Sequence, residues 1–326
     1  MNTALNPKPY LSVAVPVYNE EDSVCLLYEK IRVVCESLNK DYEIIFVDDG
    51  SSDRTLEILA EIQKNDAHVK AVSFRKNYGQ TAAMAAGFDC AQGENVVSMD
   101  GDLQNDPSDI PMLLKKMEEG YDVVCGWRKN RQDKFWSRRF PSIIANWIIG
   151  RVTGVRIHDN GCSLKAYRAS IIKNVFLYGE MHRFIPAMTT LTGARVSEIV
   201  VKHHARQFGK SKYGISRVWR VILDIITVKM IIGFASKPLR WFGFFSLPFI
   251  IATFFAFFSA VDLLQRDHTE VWLVTATVGL LCLFLSTHLI SLGIIGELSM
   301  KTGDFRPSKG LHPNIKILQQ TDHKED

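Results

Sequence analysis

The chain has 326 residues, of which 47% are hydrophobic, and a formal net charge of +4. This length suits one large domain or two moderate ones, and the charge is too small to indicate a nucleic-acid-binding protein. The six cysteines form no C-x-x-C pair, so they predict free thiols in a reducing compartment and argue against a zinc site or a disulfide framework. Because no signal-peptide pattern opens the sequence, we expect the main domain not to be exported.

Strand and helix patterns alternate along the first half of the chain. Apolar runs predict strands over residues 11–17, 43–47, 69–74, 95–99 and 122–125, and helical periodicity predicts helices over 24–38, 54–65, 80–91 and 109–119. This alternation predicts an α/β fold with a mostly parallel sheet that helices cover on both faces. In such sheets ligands bind beyond the carboxyl ends of the strands, so the polar residues that follow each strand are the candidate site.

The segment Asp100-Gly101-Asp102-Leu103-Gln104 directly follows the fourth predicted strand. Two carboxylates at positions i and i+2 can converge on one divalent cation if the backbone turns at the glycine between them. Carboxylate and amide oxygens are hard ligands that suit Mg²⁺ or Mn²⁺, and both cations also bind diphosphate oxygens. A lone Asp-x-Asp is a weak signal, but its place at a strand end favours a metal site.

Two more acidic side chains follow the first two predicted strands. Asp49 either accepts hydrogen bonds from a base or ribose or caps the turn before the next helix. Glu20 either makes similar contacts or favours the dipole of the helix that follows it. The chain has no G-x-G-x-x-G after the first strand and no G-x-x-x-x-G-K-[ST], which removes the main support for a dinucleotide-binding or P-loop protein.

A bound diphosphate would therefore be neutralised by a metal and by side-chain cations. Arg128 is one candidate, and the basic segment from Arg206 to Tyr213 is another. That segment combines guanidinium, ammonium and hydroxyl groups around Gly209, which permits close approach of the backbone to a phosphate. Its alternative interpretation is a solvated basic loop.

Two long apolar runs dominate the last third of the chain. Trp241 to Val261 and Val271 to Ile295 contain no charged residue. At about 1.5 Å per residue, either run can cross the roughly 30 Å hydrocarbon core as a helix, whereas buried core helices are the alternative. Lysine and arginine flank the outer ends of the pair and are scarce in its loop, so the positive-inside rule predicts a cytoplasmic main domain and cytoplasmic termini.

The resulting prediction divides the chain into four segments. A cytoplasmic domain is predicted over 1–215, and an amphipathic helix over 216–237 is expected to lie in the membrane interface or to pack against the domain. A transmembrane pair over 238–300 and a cytoplasmic tail over 301–326 follow. Gly293 and Gly296 suit close helix packing, which allows a homo-oligomer.

Four motifs in this order resemble those of family 2 glycosyltransferases with the GT-A fold: Val15 to Glu20, Val47 to Ser51, Met99 to Gln104 and Arg206 to Tyr213. The resemblance covers nearly the whole chain. It is closer to the polyprenyl-phosphate branch, which includes dolichol-phosphate mannose synthase and bactoprenol glucosyltransferases, and whose membrane-anchored members can carry two C-terminal spans. The absence of a Q-x-x-R-W motif and the presence of two spans distinguish the chain from processive cellulose or hyaluronan synthases.

The resemblance implies a role for each matching position. It implies that the nucleoside is bound by Pro16, Tyr18, Glu20, Val47 and Asp49. It implies that Mg²⁺ or Mn²⁺ is bound by Asp100, Asp102 and Gln104, with Gly101 behind the phosphates. It implies that the donor diphosphate or the acceptor phosphate is contacted by Arg128, Arg206 and Lys212.

The acceptor side is implied in the same way. Arg138 and Ser142 resemble the platform for the acceptor phosphate, and Glu180 to Phe184 resembles the neighbouring acceptor loop. Asp159 resembles the family's carboxylate near the reacting sugar; its alternative interpretation is a turn aspartate before Gly161.

The function implied is a membrane-anchored, inverting transfer of a hexose to undecaprenyl or another polyprenyl phosphate, for modification of lipopolysaccharide or another envelope glycan. UDP-glucose is the first choice of donor and GDP-mannose the alternative. Because a phosphate acceptor is already an anion near neutral pH, Asp159 would orient the sugar or the acceptor, or would act as a base if a proton must leave. Two rival functions remain, a non-catalytic membrane scaffold and a metal-dependent phosphohydrolase.

Overall fold

The protein is described by a computed structural model over residues 8–129, 146–147, 149–151, 153–175, 177, 181–190, 193–205, 237–266, 269–302 and 315–317. These residues fall into two compact units. The first contains the described residues from 8 to 205 together with 315–317, and the second contains 237–302.

The first unit is built around one sheet. Its strands are β1 Leu11–Val17, β2 Tyr42–Asp48, β3 Val69–Phe74, β4 Asn95–Ser98, β5 Val123–Trp127, β6 Lys165–Arg168, β7 Val196–Val200 and β8 Ile315–Ile317. Their order across the sheet is β7-β5-β6-β4-β1-β2-β3-β8. Its helices are α1 Val24–Ser37, α2 Thr55–Asn65, α3 Gln80–Cys90, α4 Ile110–Glu118, α5 Ala169–Ile172 and α6 Ile185–Thr189.

The direction of the strands brings the predicted site residues to one edge of the sheet. β1 pairs in parallel with β2 on one side and with β4 on the other, so the chain order reverses at β1. β6 runs antiparallel to both β4 and β5, and β5 therefore points in the same direction as β4. The carboxyl ends of β1, β2, β4 and β5 consequently share the edge at which open α/β sheets bind ligands.

The central strands are apolar because helices cover both of their faces. All seven residues of β1 are buried, and alternate residues enter different cores. Val13 and Val15 join the core that contains the α1 stripe, and Ala14 joins the core that contains α3 residues. The α1 stripe recurs at helical spacing and consists of Val24, Leu27, Ile31 and Cys35.

The predicted α/β fold with a mostly parallel sheet is confirmed, and every predicted element up to residue 125 is present with ends shifted by at most two residues. The strands β6, β7 and β8 were not predicted. β6 has four residues and β8 has three, which is too short for a periodic pattern to be recognised. β8 pairs antiparallel with β3 and returns part of the predicted tail to the first unit.

The second unit consists of two long helices, α7 Pro238–Gln265 and α8 Thr269–Thr302. Both are long and apolar enough to cross a membrane, and only 17% of the most apolar stretch of each is buried. A buried core helix of a soluble protein would hide most of that surface. The helices pack antiparallel, since Gly296 near the end of α8 lies against Pro238 at the start of α7.

Gly293 and Gly296 lie where α8 contacts α7. A methyl group on Gly293 would lie 3.0 Å from the Phe242 Cβ and 3.1 Å from the Leu239 Cα, and one on Gly296 would lie 3.0 Å from the Pro238 Cβ. Both glycines thus let α8 approach α7 of the same chain. Their presence requires no second protomer. Except for Lys237, the predicted amphipathic helix over 216–237 lies outside the described residues.

Candidate active site

Main-chain hydrogen bonds bring the ends of β1, β2 and β4 together. The Asp49 N–H donates to the Val17 oxygen at 2.9 Å, and the Met99 N–H donates to the Ala14 oxygen at 3.2 Å. The loops that follow these strands therefore start side by side. The three acidic loops thus lie at the same edge of the sheet.

The turn after β4 carries the predicted metal ligands. Asp100, Asp102 and Gln104 are half-buried, and one Asp102 oxygen accepts a hydrogen bond from the Gln104 N–H at 3.2 Å. A methyl group on Gly101 would lie only 2.8 Å from the Val17 Cγ1, so the turn requires glycine at this position. Leu103 has a positive φ of 60°, which is uncommon for a branched side chain and marks a tightly constrained turn.

These side chains fit a hard divalent cation. Within the described residues no group of three or more His, Cys, Asp or Glu side chains is placed to hold a metal. By the chemistry of their oxygens, Asp100, Asp102 and Gln104 could hold such a cation together with a bound diphosphate, and this role stays a prediction. Mg²⁺ and similar cations are commonly bound in this way, through one or two carboxylates and the phosphates of the substrate.

The predicted nucleoside loop (residues 16–20) is connected to the turn of residues 100–104, which we call the metal turn after its predicted role. The Ser23 hydroxyl lies 2.7 Å from the Glu20 Oε2 and 3.2 Å from the Gly101 oxygen, and can donate to either. The Glu20 N–H in turn donates to the Thr55 hydroxyl at the start of α2, at 2.9 Å. Glu20 is therefore fixed between the loops that follow β2 and β4.

Pro16 and Val47 are partners in the β1–β2 register, and both are buried. Val47 is fully enclosed in the hydrophobic core. Their buried side chains offer little surface to a nucleoside, whereas Tyr18 is half-buried. The nucleoside-binding roles of these residues stay predictions.

Asp49 stabilises the start of α3. One oxygen accepts from the Tyr78 N–H at 2.7 Å, and the other accepts from the Gly79 N–H at 2.9 Å. Burial raises the pKa of this carboxyl group, and the two N–H groups oppose the rise. The helix that follows β2 is instead held by Asp53, which accepts from the Thr55 N–H at 3.0 Å. Asp49 thus binds the residues directly before α3 and not the helix after β2 that the sequence indicated.

Arg128 and Asp159 form a buried, two-pronged ion pair. The Arg128 Nε lies 2.7 Å from the Asp159 Oδ2, and its Nη2 lies 3.0 Å from Oδ1. The side chains are only 11% and 4% exposed. Burial lowers the pKa of the Arg128 guanidinium, but its hydrogen bonds with Asp159 and the nearby negative charges, those of Asp159 and Asp100 among them, together more than offset this effect, so the net pKa is raised. Asp159 therefore partners the Arg128 charge inside the protein, and the predicted contact of Arg128 with a phosphate stays a prediction.

The neighbouring residues strengthen this connection. The Trp127 and His158 rings stack with centroids 4.3 Å apart. The end of β5 therefore contacts the 158–159 turn twice, through Trp127 on His158 and through Arg128 on Asp159. The buried Lys165 supports the turn from β6 by donating to the Asn160 oxygen at 3.0 Å, and burial lowers the pKa of its ammonium group. Sequence reasoning missed Lys165, which belongs to no motif.

The cysteines near this pair behave as buried thiols. Burial raises the pKa of Cys125 to about 12 and of Cys162 to about 11, which keeps both protonated and unreactive. All six cysteines are free, and Cys35, Cys125 and Cys162 are buried.

The start of α3 carries two polar residues that sequence reasoning also missed. The Gln80 Nε2 lies 2.6 Å from the Asp100 Oδ1, and the Thr81 hydroxyl lies 2.8 Å from the His182 Nδ1. His182 belongs to the 3₁₀ helix Met181–Arg183, within the predicted acceptor loop. The metal turn and the predicted acceptor loop thus both contact α3.

The two histidines His203 and His204, which precede the basic segment in the chain, lie beside the turn of residues 100–104. Asn105 forms a β-bridge with His203, and the His204 N–H donates to the Gln104 oxygen at 2.9 Å. Other predicted site residues lie outside the described residues, and their roles stay predictions: Arg138, Ser142, Glu180, Arg206 and Lys212.

Residues 12–176 match the model of glycosyl transferase family 2. The chain belongs to glycosyltransferase family 2. Dodecaprenyl-phosphate galacturonate synthase of Rhizobium johnstonii is 43% identical over 297 residues, which cover 90% of this chain and 88% of the relative. Undecaprenyl-phosphate 4-deoxy-4-formamido-L-arabinose transferase of Edwardsiella ictaluri is 38% identical over 292 residues, which cover 88% of each chain.

Solved structures support the fold. Glucosyl-3-phosphoglycerate synthase from Mycobacterium tuberculosis, in complex with Mn²⁺, UDP and phosphoglyceric acid, superposes with a TM-score of 0.53 at 17% identity, over 68% of this chain and 78% of the other. Mannosyl-3-phosphoglycerate synthase from Rubrobacter xylanophilus gives a TM-score of 0.54 at 14% identity, over 68% and 74%. The predicted GT-A fold and the predicted glycosyltransferase family are confirmed.

Proposed function

We propose that this family 2 glycosyltransferase transfers a sugar from a nucleoside diphosphate onto a polyprenyl phosphate. The observation that carries the proposal is the extent of the similarity to relatives named for that product. The 297 matched residues exceed the 237 that precede α7, so the similarity extends from the catalytic unit into the apolar helix pair. A lipid acceptor explains why a transferase would have both parts.

Galacturonate is the sugar that we propose, with 4-deoxy-4-formamido-L-arabinose as the second candidate. The relatives are named for these two sugars, and the galacturonate relative has the higher identity of the two, 43% against 38%. Neither name contains glucose, so the relatives do not support the expectation of UDP-glucose. We keep uridine as the proposed nucleoside of the donor.

The proposed reaction is a direct displacement with inversion. An oxygen of the lipid phosphate attacks the anomeric carbon while the bond from that carbon to the diphosphate oxygen breaks. A divalent cation held by Asp100, Asp102 and Gln104 would stabilise the charge on the leaving diphosphate. Arg206 and Lys212 would add positive charge near the leaving diphosphate. This role is assigned from the sequence motif alone.

Asp159 has a positioning role in this proposal. Both of its oxygens accept hydrogen bonds from Arg128, and the attacking phosphate has no proton that must be removed. The ion pair would therefore fix the loop beside the reacting sugar, with Lys165 behind it.

We further propose that α7 and α8 cross the cell membrane and that the catalytic unit is cytoplasmic. The lysines and arginines at the outer ends of the pair support this orientation. β8, which follows α8 in the chain, pairs with β3 of the catalytic unit. This pairing supports an even number of crossings, because the segments before α7 and after α8 then lie on one side.

The test is a donor panel with the purified full-length protein in detergent. Radiolabelled UDP-galacturonate, UDP-4-deoxy-4-formamido-L-arabinose, UDP-glucose and GDP-mannose are each incubated with Mn²⁺ and undecaprenyl phosphate, and label in the lipid phase is counted. We expect the greatest transfer from UDP-galacturonate and none to the unphosphorylated lipid alcohol. Release of free sugar without lipid would indicate a hydrolase, and no turnover of any donor would indicate a non-catalytic scaffold.

A further inference from the structure

The first turn of α3 lies at the centre of the contacts around the metal turn, although no sequence motif for nucleotide or metal binding includes it. The loop that follows β2 fixes the position of this turn of α3. The Asp49 carboxylate accepts from the N–H groups of Tyr78 and Gly79, directly before the helix. Gly50, with a positive φ of 71°, lets the loop approach so closely that a Cβ there would lie 2.5 Å from the Lys76 carbonyl carbon. The main chain that carries Gln80 is thus held in place.

The Gln80 side chain ends at the proposed metal ligand. Its Nε2 lies 2.6 Å from the Asp100 Oδ1. The amide nitrogen must face the carboxylate, because the amide oxygen has no proton to donate to an ionised acceptor. The terminal torsion of an aspartate is broad and roughly two-fold, so a donor fixed at one oxygen selects the orientation of the carboxylate plane.

The adjacent residue secures the helix from the other side. The Thr81 hydroxyl pairs with the His182 Nδ1 at 2.8 Å, and the Arg183 Nε lies 3.4 Å from the His182 Nε2. Arg183 can only donate, so Nε2 is the acceptor and the neutral ring carries its proton on Nδ1. Thr81 is buried, and its contact leaves the first turn of α3 little freedom to move away from Asp100.

We propose that Gln80 is a positioning residue of the metal site, which orients the Asp100 carboxylate for a divalent cation. Gln80 lies on a helix start fixed by Asp49 and by the Thr81–His182 contact, and it donates a charge-assisted hydrogen bond to Asp100. That bond occupies one lone pair of Oδ1 and leaves Oδ2 and the second lone pair of Oδ1 for the cation. The inference relies on the proposed function for its assignment of Asp100 to the metal.

The test is the affinity for Mn²⁺, measured on the full-length protein in detergent with UDP present, from the electron paramagnetic resonance signal of free Mn²⁺. Gln80→Met keeps the length of the side chain and removes its donor. We expect Mn²⁺ to bind about tenfold more weakly, which corresponds to one hydrogen bond to a charged group. Gln92→Met is the matched control, because Gln92 is exposed just beyond the other end of α3, and its affinity should equal that of the wild type.

Metal rescue separates positioning from general damage. The Gln80→Met protein should recover most of its transfer rate at saturating Mn²⁺, whereas a misfolded site would stay slow. Gln80→Asn retains the amide on a side chain one methylene shorter, and we expect a similar loss of affinity. Wild-type affinity in both Gln80 variants would overturn the inference. A wild-type protein that binds no Mn²⁺ with UDP would instead overturn the metal assignment of the proposed function.

Discussion

Three carboxylates near the site are held by two chemically different kinds of partner. Asp100 accepts from the neutral Gln80 amide, and Asp49 accepts from two neutral main-chain N–H groups. Within the described part of the chain, neither of them forms an ion pair. Asp159 is held by the Arg128 guanidinium through both of its oxygens. The first two carboxylates are thus oriented by neutral donors, whereas the third is bound through both oxygens by a guanidinium, whose charge also interacts with Asp100.

This difference separates a binding role from a positioning role. A carboxylate that keeps its charge can attract a cation, which explains why Asp100 suits a metal site. A carboxylate already paired with a buried guanidinium gains little from a further cation, and its loss would leave the arginine uncompensated. Aspartates near the same edge of the sheet therefore have different roles.

Asp102→Asn should have the largest effect on transfer. The substitution keeps the shape of the side chain and removes a charge from the proposed metal site, and the loss should be roughly 10³-fold or more, since a metal supplies several kcal/mol of charge stabilisation. Initial rates of transfer to undecaprenyl phosphate, with Mn²⁺ varied, measure it. Unchanged activity would refute the metal role of this turn.

Arg128→Met should have the largest effect on stability. Removing one partner of a buried ion pair leaves the other charge uncompensated and costs about 3–5 kcal/mol. Thermal unfolding of the detergent-solubilised protein measures the loss. Because Asp159→Asn removes the stranded charge, the double variant Arg128→Met/Asp159→Asn should recover part of the lost stability. If the effects of the two substitutions simply add, the side chains are not coupled as the contacts indicate.

Asp159→Asn alone should reduce transfer modestly, by about tenfold, because an amide preserves the shape of the side chain and loses the charge-assisted pairing with Arg128. A catalytic base would behave differently, with a loss of about 10²–10⁴-fold. Comparison of the rate with that of Asp102→Asn, under the same conditions, distinguishes the two roles. A loss as large as that of Asp102→Asn would overturn the positioning role.

The fold was predictable where burial imposes a clear pattern. β1 and β2 are covered on both faces and appear as uninterrupted apolar runs, and α1 shows its buried stripe at helical spacing. β7 was missed because its residues are only partly buried and include Ser197 and Glu198, so its pattern is weak. β8 was missed because its three residues depend on pairing with β3, a contact that their own composition does not indicate.

The candidate site was predictable where the chemistry lies in one short segment. The Asp100 to Gln104 turn is such a segment, and it lies at the expected sheet edge. The pairing of Arg128 with Asp159 was not predictable, because 31 residues separate them and each has a reasonable ligand-binding role alone. Gln80 was overlooked for the same reason, since its proposed role depends on a hydrogen bond to Asp100, which is 20 residues away in the chain. Sequence motifs identify which groups are present, and tertiary contacts decide which of them remain available to a ligand.

The smallest predicted effect concerns pH and the contact that secures α3. Burial, with help from the charges of Arg183 and Lys165, lowers the pKa of His182 well below its usual value. As the pH falls below about 6.5, the unfolded chain therefore binds a proton that the folded protein does not, and stability decreases. His182→Asn can keep a donor near Thr81 and removes the titration, so its unfolding free energy should decline less steeply, by up to about 1.4 kcal/mol per pH unit. Unfolding midpoints of both proteins between pH 5 and 7.5 measure this. A difference between them that is the same at every pH would show that His182 acts through packing and not through its charge.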